Sequence, residues 1–233
     1  MYFIILLLFL IYILCLTCNE NFNADNLINC YIIHLEKSSD RISNIKNNKL
    51  KSNLLFYYWN GVDGDTLNKN DLIEKGILCS KYADISTKNH WGCFLSHKNI
   101  IKELADKYNN NELNTKYSII LEDDFIIIND NFDDIISNAL NDLESINYDF
   151  DILYINSGEL DKQIINNIYK LKLGSQPTTE GYIINNKNLK KISDLLGIIN
   201  KPIDWKLVEL INALILNIPL VSQNKKLKSL IDF

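Results

Sequence analysis

Apolar residues in this chain fall into short runs that are separated by polar or amphipathic segments. Runs rich in β-branched and aromatic residues, typical of buried strands, lie at 29–35, 54–59, 117–121, 151–155 and 179–184. Helical spacing and helix-capping residues predict helices at 39–51, 71–75, 89–108, 132–146 and 188–196. A longer helix is predicted from about 205 to 216, and a last extended piece at 218–221. Strands that alternate with helices predict an α/β fold with a mainly parallel central sheet flanked by helices.

Residues 1–18 form an unbroken apolar run, and polar Asn19 follows at once. The run is long for the core of a signal peptide and short for a membrane span, and it lacks the basic n-region that a typical signal peptide carries. We therefore predict a cleaved signal peptide or an uncleaved signal anchor at 1–18, followed by a single domain at 19–233. The expected location is the secretory pathway, in the ER or Golgi lumen or anchored in the membrane and facing that lumen.

Composition narrows the class of protein. With 47% hydrophobic residues in 233, the chain can bury a sizeable core, and its net charge of -5 argues against a nucleic-acid-binding surface. Outside the apolar leader the cysteines are Cys30, Cys79 and Cys93. An odd number at irregular spacing is not a disulfide framework, and no paired-cysteine metal motif is present.

The strand predicted at 117–121 runs directly into three consecutive carboxylates, Glu122, Asp123 and Asp124. Open α/β sheets bind ligands at the carboxyl ends of their strands, where such charges can be accommodated. Alternate residues of a strand point to the same side, so Glu122 and Asp124 could face one ligand while Asp123 faces elsewhere. A divalent cation, Mn²⁺ or Mg²⁺, would relieve the repulsion and could also bridge phosphates. The alternative is a strand followed by a solvated acidic turn.

Several strings along the chain occur in the order found in one known family. They are Tyr31-Ile32-Ile33-His34-Leu35, Asp40-Arg41, Gly61-Val62-Asp63-Gly64, Gly92-Cys93-Phe94-Leu95-Ser96-His97, Leu121-Glu122-Asp123-Asp124, Thr179-Glu180-Gly181 and Pro202-Ile203-Asp204. Together they resemble glycosyltransferase family 25, which includes lipooligosaccharide galactosyltransferases of bacteria and collagen hydroxylysine galactosyltransferases. The resemblance runs from about 29 to 231. The chain departs from the family at His34, where asparagine is usual, at Lys37, where arginine is common, and at Glu180.

The resemblance implies a GT-A-like nucleotide-sugar-binding fold and an inverting transfer of a sugar, namely galactose, from a UDP-sugar to a hydroxyl group. The implied acceptor is a glycan, as in lipooligosaccharide biosynthesis, or hydroxylysine in a collagen-like protein. A bound Mn²⁺ or Mg²⁺, expected at Glu122 and Asp124, would neutralise the leaving diphosphate. Two other functions stay open: a non-catalytic member that binds glycans or partner chains, and a metal-dependent hydrolase of sugar nucleotides.

An inverting transfer requires a general base within hydrogen-bond reach of the acceptor hydroxyl. The candidates are Asp204, which follows Pro202 at a predicted helix start, and Glu180, which lies beside Gly181. The competing interpretation of Asp204 is a simple helix cap.

Donor or nucleotide contacts are predicted for a further group of polar residues and one glycine: Asp40, Arg41, Asp63, Gly64, Ser96, His97 and Asp123. Structural roles compete with these assignments. Asp40 and Arg41 could form a helix cap with a surface ion pair, and His97 could be a satisfied structural histidine. Asp63 and Gly64 could simply form a turn. Cys93 is assigned to the core, because no basic neighbour is present to activate its thiol.

Overall fold

The computed structural model describes residues 28–227. Within this range the strands are β1 (Ile28–His34), β2 (Phe56–Asn60), β3 (Tyr117–Glu122), β4 (Phe125–Ile127), β5 (Ile152–Tyr154), β6 (Leu160–Ile165), β7 (Ile168–Leu171), β8 (Gly181–Asn185), β9 (Ala213–Leu216) and β10 (Val221–Gln223). The helices are α1 (Ser39–Lys49), α2 (Lys69–Glu74), α3 (Ser80–Ala83), α4 (Lys88–Asn109), α5 (Phe132–Ser145), α6 (Leu189–Leu196) and α7 (Ile203–Leu210).

Eight of the strands form one mixed sheet in the order β2-β1-β3-β8-β5-β9-β7-β6. Strand β1 pairs in parallel with β2 and β3, and β5 pairs in parallel with β9. Strand β8 lies antiparallel between β3 and β5. Strands β4 and β10 form a separate two-stranded ribbon. The predicted fold class, an α/β fold with a mainly parallel central sheet flanked by helices, is confirmed in its layers. The sheet itself is mixed, with three parallel pairs among its seven.

Burial on both faces of the sheet explains why its central strands, such as β3 and β8, are continuously apolar. In β3, Ile119 packs into the cluster beneath α1 and α5, whereas the adjacent Ile120 packs into the cluster beneath α4 and α6. Alternate side chains of a strand point to opposite faces, so a strand with helices on both sides needs apolar residues at every position. The apolar run of β3 stops at Leu121. The last residue of the strand, Glu122, is only partly buried.

The prediction of one long helix from about 205 to 216 is wrong. Helix α7 ends at Leu210, and Ala213–Leu216 forms β9, which pairs with β5 and β7. Leu214 packs into one core cluster and Ile215 into the other, so the sheet buries both sides of this segment. In a short apolar run, the spacing of the hydrophobic residues does not distinguish a strand from a buried helix. Here pairing with the neighbouring strands determines the structure.

The sequence pattern does not predict the hairpin of β6 and β7 or the short strand β4. Strand β6 lies at the edge of the sheet and is largely polar, because most of its side chains are at least partly exposed. The hairpin turn includes Asn166, whose φ of 44° is a left-handed conformation that asparagine tolerates better than most residues. Strand β4 pairs with β10, which lies far away in sequence.

The predicted signal peptide or anchor at 1–18 lies outside the described residues. The leader, the location in the secretory pathway and the single domain at 19–233 therefore stay predictions. Between residues 28 and 227, no helix is both long enough and apolar enough to cross a membrane.

The loop after β2 packs tightly on the first turns of α4. A Cβ atom on Gly92 would lie 2.7 Å from the carbonyl oxygen of Val62, and one on Gly64 would lie 2.5 Å from the carbonyl oxygen of Lys88. The hydroxyl of Ser96 accepts a hydrogen bond from the Val62 backbone N–H (2.8 Å) and donates one to the Gly92 carbonyl (2.7 Å). Ser96 therefore holds this loop on α4.

We expect Gly92→Ala to destabilise the protein by about 1–3 kcal/mol, because the added methyl group meets backbone atoms that cannot move independently. Alanine is the better helix former by about 1 kcal/mol, so the clash has to exceed this gain. Urea unfolding measures the effect. The matched control is Asn99→Ala at an exposed position of the same helix, where the change should stay within about 0.5 kcal/mol. Equal unfolding midpoints for the two variants would contradict the close packing described here.

Candidate functional site

The three consecutive carboxylates lie at the carboxyl end of β3, as the sequence predicts. Glu122 is the last residue of β3, and Asp123 and Asp124 form the turn into β4. The two aspartates are each only 4% exposed. The alternative of a solvated acidic turn is therefore wrong for these side chains, and each needs a partner of opposite charge or a hydrogen-bond donor.

Arg41 supplies that partner from the first turn of α1. Its guanidinium donates a hydrogen bond to Asp123 Oδ1 and lies 3.4 Å from Asp124 Oδ2. The imidazole Nδ1 of His34, at the end of β1, lies 2.9 Å from Asp123 Oδ2, and Asn44 donates to the Asp123 carbonyl oxygen (3.1 Å). Asp123 is thus paired inside the fold, and the predicted donor residue Arg41 is a buried ion-pair partner rather than part of a surface pair.

We expect Arg41→Met to destabilise the protein by about 3–5 kcal/mol, because it leaves two buried carboxylates without their cation. Lys37→Met is the matched control, since Lys37 forms ion pairs with Asp63 and Asp65 on the surface. Exposed pairs contribute about 0–1 kcal/mol. Thermal unfolding at pH 7 compares the variants, and a similar loss in both would show that the Arg41 cluster is not a buried network.

Glu122 belongs to a second network, on the side facing α4. Its Oε1 accepts a hydrogen bond from the Thr179 hydroxyl (2.5 Å) and lies 3.1 Å from His97 Nε2. The other ring nitrogen of His97 lies 2.7 Å from the hydroxyl oxygen of Tyr182. His97 is four residues beyond Cys93 on α4. The histidine is therefore buried and hydrogen-bonded, as the structural interpretation expected, yet its bonded partner is a carboxylate of the site.

The two outer carboxylates have opposite pKa shifts. Burial alone would raise the pKa of Glu122, but the hydrogen bonds from His97 and Thr179 lower it below its usual value. Burial raises the pKa of Asp124 to about 6, and the nearby charge of Glu122 adds to the effect, although Arg41 opposes it. Glu122 therefore holds its negative charge, and that charge disfavours ionisation of Asp124.

The residues present fit a hard divalent cation at this point. Asp124 Oδ2 accepts a hydrogen bond from Gln223 (3.1 Å), but Oδ1 is buried with no hydrogen-bond partner in the described part of the chain. A buried carboxylate oxygen without a donor is costly, and a cation between it and Glu122 would satisfy it. Glu122 and Asp124, the two predicted ligands, are thus the residues that would hold the ion.

Two cavities meet at Glu122. Cavity A has a volume of about 90 Å³, and its lining includes Arg41, Gly64, Ser96, His97, Asp123 and Asp124. Cavity B has a volume of about 370 Å³, and its lining includes Gln176, Thr178, Thr179, Glu180, Asp204 and Trp205. Cys93, Glu122 and Gln223 line both. The volume of cavity B is in the range of small-molecule pockets, about 300–1,000 Å³, whereas the volume of cavity A is below it.

Both candidates for the general base line cavity B. Asp204 lies in the first turn of α7, but Pro202 occupies the cap position, so Asp204 is not the N-cap residue. Burial raises the pKa of Asp204, and the charge of Glu122 adds to this. Burial also raises the pKa of Glu180, to about 7. A general base is most efficient when its pKa lies near the pH at which the enzyme works. The pKa values of Asp204 and Glu180 are both raised toward neutral pH.

The structure does not bring all predicted donor residues together. Gly64, Ser96 and His97 line cavity A with Arg41 and Asp123. Asp40 is exposed, and it is absent from the linings of both cavities. Asp63 is likewise absent from both linings, and its carboxylate bonds Lys37 (2.6 Å) and the Asp65 backbone N–H (3.0 Å) in the turn.

Sequence reasoning missed several residues of the site. Cys93, assigned to the core, packs against the core but also lines both cavities. Its spacing of four residues from His97 on one helix was the available signal. Trp205 is 43% exposed at cavity B and follows Asp204 directly. Gln223 is the last residue of β10. No motif near it in sequence predicts that it contacts the carboxylates.

Comparison with known proteins identifies the family. The model of glycosyltransferase family 25 (LPS biosynthesis protein) matches residues 27–207. The chain therefore belongs to glycosyltransferase family 25, as its motifs predicted.

Curated relatives cover a shorter stretch. Procollagen galactosyltransferase 1-B of Xenopus laevis is 32% identical over 133 residues, which is 54% of this chain and 20% of that protein. Procollagen galactosyltransferase 1 of Danio rerio is 29% identical over 133 residues, with the same shares of 54% and 20%. The match thus spans about a fifth of the length of these relatives.

Solved structures with detectable similarity are more distant. A glycosyltransferase involved in the glycosylation of the major capsid of PBCV-1 has a TM-score of 0.41 and 14% identity, with 75% of this chain and 68% of that chain covered. A197 from STIV has a TM-score of 0.40 and 9% identity, with 82% and 81% covered. At these TM-scores neither structure adds to the family assignment.

Proposed function

We propose that this protein transfers a sugar, galactose, from a UDP-sugar to a hydroxyl group with inversion, and that it requires a divalent cation, Mn²⁺ or Mg²⁺. The acceptor is a glycan or hydroxylysine in a collagen-like protein. Membership in glycosyltransferase family 25 and the similarity to procollagen galactosyltransferases support the reaction class and the sugar. The apolar run at 1–18 supports an action in, or facing, the secretory lumen.

The observation that carries this proposal is the position of Glu122, which lines both cavities, while Asp124 lines cavity A. A transferase has to hold a donor and an acceptor on either side of one reacting atom. Cavity A, with Arg41 and the backbone of the Gly64 turn, would take the donor phosphates. Cavity B, with Asp204 and Glu180, would take the acceptor.

Glu122 and Asp124 would hold the cation, which when bound supplies positive charge to the leaving diphosphate. His97 keeps Glu122 ionised and in place through its hydrogen bond, and Thr179 donates a second hydrogen bond to the same carboxylate oxygen. Gln223 restrains Asp124. These contacts fix the ligand oxygens before the donor arrives, which reduces the cost of organising the site.

Asp204 would accept the proton from the acceptor hydroxyl. It lies in cavity B, and burial has raised its pKa toward the working pH. The exposed ring of Trp205 gives the acceptor a flat apolar surface next to this carboxylate. Glu180 faces the same cavity and is the second candidate for the base.

The test is release of UDP by the full chain from a panel of UDP-sugars, with and without Mn²⁺ and with hydroxylysine peptides or simple sugars as acceptors. The proposal expects metal-dependent release from one donor, accelerated by one acceptor class, with a product of inverted anomeric configuration. Release that no acceptor accelerates would assign a sugar-nucleotide hydrolase instead. If no UDP-sugar binds in the presence or absence of metal, the enzyme assignment fails and a glycan- or partner-binding role replaces it.

A further inference from the structure

A sulfur, a nitrogen and an oxygen donor lie together where the two cavities meet. The ligand atoms of Cys93, His97 and Glu122 are all within 4.8 Å of one another, and His97 Nε2 lies 3.1 Å from Glu122 Oε1. Ligands of a tetrahedral zinc ion, at roughly 2.0–2.3 Å from the metal, lie about 3.3–3.8 Å from each other. Small side-chain movements would close this cluster around an ion. We propose that Cys93, His97 and Glu122 form a binding site for a thiophilic divalent ion, Zn²⁺.

The local structure organises two of the three ligands. Cys93 and His97 are four residues apart on α4, so their side chains lie on the same face of the helix, one turn from each other. His97 Nδ1 lies 2.7 Å from the hydroxyl oxygen of Tyr182. When a metal displaces the Nε2 hydrogen bond to Glu122, the ring proton can move to Nδ1 and be donated to Tyr182, which makes Nε2 the ligand atom. A second hydrogen bond of this kind, from the far ring nitrogen, orients most metal-binding histidines.

The donor set distinguishes this site from the cation site of Glu122 and Asp124. Thiolate and imidazole ligands favour Zn²⁺, whereas Mg²⁺ and Mn²⁺ prefer oxygen ligands. Three protein ligands also leave a fourth position of a tetrahedral ion open to water from the cavities. Cys93 loses its thiol proton when the metal binds, and the metal–thiolate bond offsets the unfavourable burial of that charge.

Glu122 is common to both sites, and this has a functional consequence. A zinc ion held by Cys93, His97 and Glu122 occupies the carboxylate that the catalytic cation needs. Zn²⁺ is therefore expected to inhibit the transfer, and added Mn²⁺ to relieve the inhibition. The zinc site itself does not depend on the proposed transferase function, whereas the inhibition does.

Co²⁺ is the spectroscopic probe, because a cobalt–thiolate bond gives a charge-transfer absorption that oxygen and nitrogen ligands do not. The full chain should bind one Co²⁺ with this absorption, and Zn²⁺ should displace it. Cys93→Ser should remove the absorption. Cys79→Ser is the matched control, because Cys79 is also half-buried and is not in the cluster, and it should leave the absorption unchanged.

Competition with a coloured chelator measures Zn²⁺ affinity directly. Cys93→Ser should weaken it by about 100-fold, and Tyr182→Phe, which removes the partner of His97 Nδ1, by roughly tenfold. Asp124→Asn should weaken Mn²⁺ binding much more than Zn²⁺ binding, and Cys93→Ser should do the reverse.

The spectrum of the wild-type protein is by itself sufficient to contradict the zinc site. The test therefore does not depend on whether the variants fold. Co²⁺ bound without thiolate absorption, or equal Zn²⁺ affinity in folded Cys93→Ser and wild type, would rule out the site. Either result leaves the proposed transferase intact, because that function is tested by UDP release with Mn²⁺. Conversely, if the chain binds Zn²⁺ through Cys93 but binds no UDP-sugar, the zinc site is supported and the proposed transferase function is contradicted.

Discussion

Replacing Asp124 with asparagine is expected to reduce Mn²⁺-dependent release of UDP by about 100- to 1,000-fold, the range seen when one electrostatic contact to a transition state is removed. Asp124 Oδ1 has no hydrogen-bond partner in the described residues and lies next to ionised Glu122, so it is the oxygen a cation would satisfy. Asparagine keeps the shape of the side chain but not its charge. The expected loss is therefore in metal affinity and turnover rather than in folding.

The same substitution should not destabilise the metal-free protein at pH 7. Burial raises the pKa of Asp124 to about 6, above the value of about 3.9 for an unfolded aspartate. An acid whose pKa is raised on folding destabilises the folded state at pH values above its unfolded pKa, because its charged form is disfavoured there. Removing the charge should thus leave the free energy of unfolding equal or higher, a common trade between stability and function.

Calorimetric titration with Mn²⁺, a UDP-release assay and thermal unfolding together check this prediction. Asp130→Asn is the matched control, because Asp130 is an exposed aspartate six residues further along the chain, and it should behave as wild type. An Asp124→Asn protein that folds, binds Mn²⁺ and releases UDP normally would exclude Asp124 as a ligand.

Replacing Asp204 with asparagine is expected to lower kcat by about 100- to 10,000-fold, the usual contribution of a positioned general base. The carboxylate lies in cavity B, where the proposed function places the acceptor hydroxyl. Because the proposed function places Asp204 against the acceptor and not the donor, the affinity for UDP and Mn²⁺ should stay near the wild-type value. This combination distinguishes a base from a residue that supports the metal.

Glu180→Gln provides the comparison, because Glu180 lines the same cavity and also has a raised pKa. A small effect of this change beside a large effect of Asp204→Asn would assign the base to Asp204. The opposite ranking would assign it to Glu180. Rates are measured at saturating donor and Mn²⁺ with the acceptor found in the UDP-release screen, and UDP affinity is measured by calorimetry.

Much of the sheet and part of the site could be predicted from local sequence. The run ending in Glu122, Asp123 and Asp124 identified both a buried strand and the carboxylates at its end. The prediction failed where a segment had no distinctive period, as at 211–216, where pairing with β5 and β7 makes a strand of an apolar run. It also failed at β6, because the side chains of this strand are at least partly exposed and its sequence therefore lacks an apolar strand pattern.

By itself, the sequence determined where the chemical groups lie along the elements: the three carboxylates at the end of β3, the Cys93 and His97 pair on one helix, and Asp204 two residues after Pro202. Only the tertiary structure decided their charges and partners. Arg41 reaches Asp123 across 82 residues, and Gln223 reaches Asp124 across 99. The physical reason is that burial and pairing set a carboxylate's pKa and its ability to bind a metal. Both depend on contacts between segments that are distant in sequence.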